Sequence, residues 1–292
     1  MILLKNGDRC QKMSKTNMIN RGEFKLNIKK KVIIPCIIII CIVTIITLSF
    51  NKYKYNKRPD VKIPVLLYHN FVTTVPASDP DNFNYINTPE SFEENIKTLL
   101  ENGYTIISMK DLADANSMKT ELPSKPIIIT FDDGYYSNYE YIYPILQKYN
   151  VKASIFIITD KIGQEIDGTK YLSWKECLEM QNSGLVEIFS HSKKHVFYNK
   201  LPIRELRDDV IESYKLIEKN LGKKDLKVFA YPYGAYTSEA VRTLKNNGID
   251  FQLYDIGINN FKDLDKNFIK RINIPCEMTG IEIIKEIELS DY

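Results

Sequence analysis

The 292-residue chain has three histidines, one tryptophan and five cysteines. No two cysteines stand as C-x-x-C, so a thiolate zinc site has no support. Cys10, Cys36 and Cys41 fall in the first fifty residues. The remaining pair, Cys177 and Cys276, could form one bridge but no disulfide framework. No glycine-rich phosphate turn follows the first apolar run, which weighs against a nucleotide-binding sheet. Beyond Ile63 there is no repeat and no low-complexity segment. Nor does the bulk of the chain carry an excess of positive charge. Of 40 Lys/Arg and 37 Asp/Glu, residues 1–58 hold 13 and two (Asp8 and Glu23), leaving 27 against 35 in the rest. A net acidic globular part lacks the basic face that nucleic acid requires, so no nucleic-acid partner is expected.

Residues 32–50 read VIIPCIIIICIVTIITLSF, without a charge. Their length is close to the roughly 20 residues that span a bilayer. Nine Lys/Arg precede the run, ending in Lys29, Lys30 and Lys31, and four follow it, namely Lys52, Lys54, Lys57 and Arg58. Positive charge favours the cytoplasmic side. The reading is therefore a cytoplasmic basic tail over 1–31, a single-pass signal anchor over 32–50, a stalk over 51–62 and an extracellular domain over 63–292. A cleaved signal peptide is the rival; the long tail and the missing small-x-small site speak against it.

Short β-branched and aromatic runs predict strands at 63–68, 104–107, 126–131, 153–158, 185–189, 227–231 and 251–254, each buried on both faces. Helical patterns lie between them. Thr88-Pro89 reads as an N-cap and first-turn proline. Ser173 to Glu176 reads as a capping box opening a helix that ends at Gly184. Residues 203–221 carry apolar residues at helical spacing before Gly222, and 238–247 form a further helix. Alternating strands and helices imply a parallel sheet with right-handed crossovers. Both a doubly wound sheet and a barrel satisfy this; the seven strands and the absent phosphate turn favour a (β/α) barrel.

The polar residues fall at strand ends: His69 after the first, Asp132 and Asp133 after the third, Ser190 and His191 after the fifth, and Tyr231, Pro232 and Tyr233 after the sixth. In a barrel these carboxyl ends share one mouth. All three histidines, His69, His191 and His195, lie at or just past such an end. His191 and His195 stand four apart, a spacing that on a helical turn puts two imidazoles on one face. With one carboxylate they would complete a three-ligand site with open positions. Side by side, Asp132 and Asp133 can point differently, one toward an ion and one toward its water; the same Asp-Asp-Gly also reads as a plain turn.

TFDDGY, HSKKH and YPYG, in this order over roughly 63–275, resemble the polysaccharide deacetylases of carbohydrate esterase family 4, the NodB-homology proteins. The resemblance implies a distorted barrel and one divalent metal, usually Zn²⁺, held by an Asp-His-His set. It implies removal of N-acetyl groups from N-acetylglucosamine polymers. Carried onto this chain, Asp132 matches the general base, Asp133, His191 and His195 the metal ligands, and Tyr233, after Pro232, the residue whose backbone N–H holds the oxyanion.

Two positions depart from the pattern. Ala230 stands where many members have the arginine that supports the base; Arg271, in KRINIP, is the candidate substitute. No histidine follows His195, where many members take their general acid. His69, in LLYHNF, resembles the histidine of the subgroup that deacetylates poly-N-acetylglucosamine, where it would be the acid. Tyr135, Tyr136, Trp174, Tyr233 and Tyr236 are candidates to stack on sugar rings, and equally candidates for the core. An O-acetyl esterase, a non-catalytic polysaccharide-binding surface protein and a metallophosphoesterase are the rival functions. The second should have lost a ligand or the base, and the third wants more ligands than three histidines supply.

Overall fold

The structure is a computed structural model describing residues 33–53, 58–74, 84–254 and 256–290. The basic tail over 1–31, Cys10, and residues 54–57 of the expected stalk lie outside the described residues. The chain divides into two units, Met1–Lys57 and Arg58–Tyr292.

Among the described residues one helix, α1 (Ile33–Tyr53) in the first unit, is long and apolar enough to cross a membrane. Its side chains are exposed along its length. The two threonines return their hydroxyls to the carbonyls of Ile40 and Val43 at 2.8 Å. These two hydroxyls are thereby satisfied within the helix.

The second unit alternates strand and helix in chain order. The elements are β1 (Val65–Tyr68), α2 (Pro89–Glu101), β2 (Thr105–Ile107), α3 (Met109–Asn116), β3 (Pro126–Phe131), α4 (Tyr143–Tyr149), β4 (Ala153–Ile157) and α5 (Trp174–Asn182). They continue with β5 (Val186–Ser190), α6 (Ile203–Leu221), β6 (Val228–Ala230), α7 (Ser238–Asn246), β7 (Phe251–Leu253), β8 (Ile272–Asn273) and α8 (Gly280–Leu289). Seven strands follow one parallel path in the order β7-β6-β5-β4-β3-β1-β8, and β2 pairs with the first half of β3. A parallel bridge between Leu253 and Ile269, just ahead of β8, joins the two ends of the path. The result is the expected distorted barrel. All seven predicted strands form, each end within two residues of its predicted position.

Alternation along the strands divides the core in two. Val65, Ile128, Phe156, Phe189, Val228, Leu253 and Ile269 point inward and meet Met109, Leu112 and Ala115 of α3. Leu66, Ile127, Ile129, Ile155, Ile157, Ile188 and Phe229 point outward and are covered by the other helices. Helix α3 thus plugs the amino-terminal end of the barrel. Its first amides, those of Met109 and Lys110, donate to the half-buried Glu187 carboxylate at 2.9 and 3.0 Å. A carboxylate at a helix N-terminus satisfies orphan donors and complements the dipole. Burial nonetheless pushes the Glu187 carboxyl up. With the amino-terminal end plugged, the carboxyl end is left for a site.

Thr88 caps α2 and Ser173 caps α5 as the sequence predicts, the latter with a full capping box. Cys177 and Cys276 are both free and buried.

Candidate active site

The inward alternation of the strands carries on past their ends. His69 has the parity of Val65, Asp132 that of Ile128, His191 that of Phe189 and Arg271 that of Ile269. Four distant segments therefore send side chains of different chemistry into one mouth.

Asp132 continues the ladder, its N–H donating to Tyr68 O at 3.0 Å. The next residue breaks it. Asp133 adopts φ 71° and the Gly134 N–H returns to Asp132 O at 2.9 Å, closing a three-residue turn. The turn is why the two carboxylates do not share a direction. Gly134 has φ 76°, and a Cβ there would lie 2.9 Å from Ile157 Cγ2, so only glycine fits.

Asp132 faces Arg271. The guanidinium donates to both carboxylate oxygens, Nη1 to Oδ1 at 2.8 Å and Nη2 to Oδ2 at 2.7 Å, and its Nε donates to Tyr254 O at 3.1 Å. Both residues are 2 % exposed. Burial alone would raise the Asp132 carboxyl; the charge and hydrogen bonds of Arg271 and the neighbouring His191 outweigh it and hold the group well below the usual carboxylate range. Such fork-to-fork pairing is the strongest a carboxylate makes.

Asp133 faces the histidines. Its Oδ1 is buried and has no hydrogen-bond partner. It lies 3.2 Å from His195 Nε2 and 3.6 Å from His191 Nε2. His191 Nδ1 sits 2.9 Å from Ala230 O, an acceptor only, so Nδ1 carries the proton and Nε2 keeps its lone pair. One ligand atom from each of the three residues lies within 4.8 Å of the others. Donors about 2.0 Å from a tetrahedral ion stand about 3.3 Å apart. The three side chains therefore fit one divalent ion, and the partnerless Asp133 oxygen is the atom that most needs it. Burial, with His191 close by, pushes His195 down to about 4, which keeps its ring neutral and able to ligate at neutral pH.

The helical turn expected over His191 and His195 is absent. Residues 191–199 form a loop with left-handed backbone at Ser192 (φ 75°) and His195 (φ 56°). The rings still meet, centroids 5.1 Å apart, because two reversals of backbone direction do what one helical turn would.

His69 faces the same mouth. Its Nδ1 is buried without a partner and its ring stands edge-on to Tyr85, centroids 5.0 Å apart. Burial lowers its pKa; Asp132 and Asp133 pull the other way. Pro232 to Gly234 form a tight turn in which Tyr233 takes φ 59°. The Tyr233 ring lies between His195, at 4.5 Å, and Phe197, on which it stacks at 4.0 Å.

Of the aromatic candidates, Trp174 and Tyr236 pack against the outer core rather than the mouth. Tyr135 stacks on Tyr171, and its hydroxyl is pushed up by burial and by the adjacent Asp133. Lys170 Nζ covers Tyr136 at 3.4 Å. Only Tyr233, 54 % exposed, remains open beside the site. Sequence reasoning overlooked Ser192 and Asp209, which hold the histidine loop, and Phe197, which stacks on Tyr233; Ser192 lies inside the HSKKH motif, and Asp209 stands on the apolar face of a legible helix.

A barrel of this form matches the fold of solved polysaccharide deacetylases. Residues 119–252 match the family model described as "Polysaccharide deacetylase", so the chain contains a domain of that family. It is 30% identical over 198 residues to a Bacillus subtilis protein, YxkH, that carries the name of a polysaccharide deacetylase, covering 68% of this chain and 64% of that one. It is 29% identical over 214 residues to the Staphylococcus aureus poly-beta-1,6-N-acetyl-D-glucosamine N-deacetylase, covering 68% and 72%. The chain thus spans about two thirds of the length of the first of these relatives. Among solved structures, the deacetylase PplD of Streptococcus pyogenes superposes with a TM-score of 0.70 over 78% of this chain and 99% of that one. At 24% identity this last likeness is one of fold.

Proposed function

We propose that this chain is a metal-dependent hydrolase that removes N-acetyl groups from N-acetylglucosamine residues of a cell-surface polysaccharide. One observation carries the reading: the buried, partnerless Asp133 oxygen sits within 3.6 Å of two imidazole nitrogens while the adjacent Asp132 is held ionised by Arg271. Asp133, His191 and His195 would hold the ion, most simply Zn²⁺. When bound it would polarise the acetamide carbonyl and acidify a water toward neutrality.

The chain's own residues supply the rest. Asp132 takes the proton of the attacking water as the new C–O bond forms. Arg271 keeps it ionised at every working pH, at some loss of proton affinity. The Tyr233 N–H, presented by its left-handed backbone, donates to the developing oxyanion. His69 gives a proton to the nitrogen as the C–N bond breaks, releasing acetate and a free amine. Burial disposes its ring to give up a proton once it has one.

The Staphylococcus aureus relative supports poly-N-acetylglucosamine as the substrate; peptidoglycan, which carries the same acetamide, is the alternative. The basic flanks of α1 support a single-pass anchor with its amino terminus in the cytoplasm and residues 63–292 outside, where such polymers lie. The test is acetate released by the full chain in detergent from N-acetylglucosamine oligomers of several lengths, from peptidoglycan and from O-acetylated sugars. Release from the amides supports the reading. Release from the O-acetyl esters alone makes the chain an esterase.

A further inference from the structure

Helix α6 presents Asp209 and Ser213 to the histidine loop. The two are four residues apart, hence on one face, and are 8 % and 0 % exposed. Asp209 Oδ1 accepts from the Lys193 N–H at 2.9 Å and from the Tyr198 hydroxyl at 2.6 Å, the residues on either side of His195. Ser213 Oγ lies 2.7 Å from Ser190 Oγ and donates to Ser192 O at 3.3 Å. Within the loop, the His195 N–H donates to Ser192 Oγ at 2.8 Å.

The loop needs such support. Ser192 and His195 are both left-handed, a conformation that costs a non-glycine residue of order 1 kcal/mol or more and persists only where the surroundings impose it. The other acids of α6 do not do this. Glu212 pairs with Lys193 Nζ and Asp208 with Arg207, side chain to side chain. Asp209 alone reaches the backbone of the loop and brackets the imidazole.

We propose that Asp209, assisted by Ser213, is the positioning residue for His195, fixing the loop so that Nε2 meets Asp133. This rests on the reading of Asp133, His191 and His195 as metal ligands. Partners one shell beyond a ligand typically govern metal affinity by about 10- to 100-fold.

The test uses the full chain in detergent with Asp209→Ala, Asp209→Asn and Tyr198→Phe. Hydrogen exchange of peptides covering 191–199 is followed in the metal-free chain, and Zn²⁺ affinity is measured by competition with a chromophoric chelator. Asp209→Ala should speed exchange in 191–199 at least about tenfold while distant strands stay protected, and weaken Zn²⁺ by about 10- to 100-fold. Asp209→Asn keeps an acceptor and should restore both to within a few-fold. If Asp209→Ala fails to fold, Tyr198→Phe, which removes one of the two clamps, should show the same localised change in smaller measure. Unchanged exchange in 191–199, or faster exchange along the whole chain, overturns the proposal. Failure of the wild-type chain to bind Zn²⁺ would instead sink the metal reading, and the exchange pattern would still decide the role of Asp209.

Discussion

The pair Asp132–Arg271 allows a quantitative forecast. Arg271→Met keeps most of the volume and removes the charge, leaving a carboxylate that is 2 % exposed without its cation. Two charge-assisted hydrogen bonds of 2.8 and 2.7 Å disappear. Breaking one side of a buried pair costs about 3–5 kcal/mol, because the remaining charge is uncompensated. For a domain of this size each kcal/mol lowers Tm by about 2–4 °C, so the loss should be about 6–20 °C. The deficit should shrink in acid. In the wild type the folded Asp132 carboxyl lies below its ordinary value, so its contribution is present above about pH 3.9 and fades as pH falls below it. In the variant burial loses its main opponent and the carboxyl rises, so it can escape its charge by protonation. The double variant Asp132→Asn/Arg271→Met, with no charge left, should regain most of the loss. Thermal and denaturant unfolding of the metal-free proteins at pH 4 and pH 7 measures all of this. A single variant that loses under about 1 kcal/mol at pH 7, with no dependence on pH, would refute the reasoning.

Three further outcomes are expected. Asp132→Asn should lower acetate release by about 10²–10⁴-fold or more while the metal stays bound, measured on the folded fraction since Arg271 loses its anion; an active variant would remove the base assignment. His69→Ala should lower kcat more than it weakens Zn²⁺ binding; if the metal is lost instead, His69 is a ligand. In the metal-free chain His195 lies near 4 when folded against about 6.5 unfolded. A depressed folded value means stability present above pH 6.5 and lost toward pH 4, about 3 kcal/mol over that range. His195→Gln should flatten the corresponding slope in unfolding free energy, and an unchanged slope would contradict the burial of this ring.

Much of this was legible because strands and site obey the same alternation. The isoleucine run before Asp132 announces a strand buried on both faces, and counting by twos from Ile128 gives the inward direction of the base. His69, His191 and Arg271 follow by the same count. The loop of His195 was not legible: four-residue spacing reads as a helical turn, whereas Asp209 and Ser213, distant in sequence, impose a left-handed path. Helices α3 and α8 were overlooked although both open with capping boxes, Ser108 to Asp111 and Thr279 to Glu282. Helix α4 had no such signal; it grows out of a wider π-helical turn at Asn138–Ile142. Two of the aromatic candidates were ambiguous for a different reason. Trp174 and Tyr236 belong to the layer between sheet and helices, and side-chain type alone does not distinguish that layer from a sugar platform.

The claim on which the rest depends is that Asp133, His191 and His195 grip one divalent ion. Elemental analysis of the purified full chain after exhaustive dialysis tests it directly. One ion per chain is expected in the wild type and in Asp132→Asn, and almost none in Asp133→Ala, His191→Ala or His195→Ala. Full occupancy retained in the two histidine variants, or no ion in the wild type, would contradict the account.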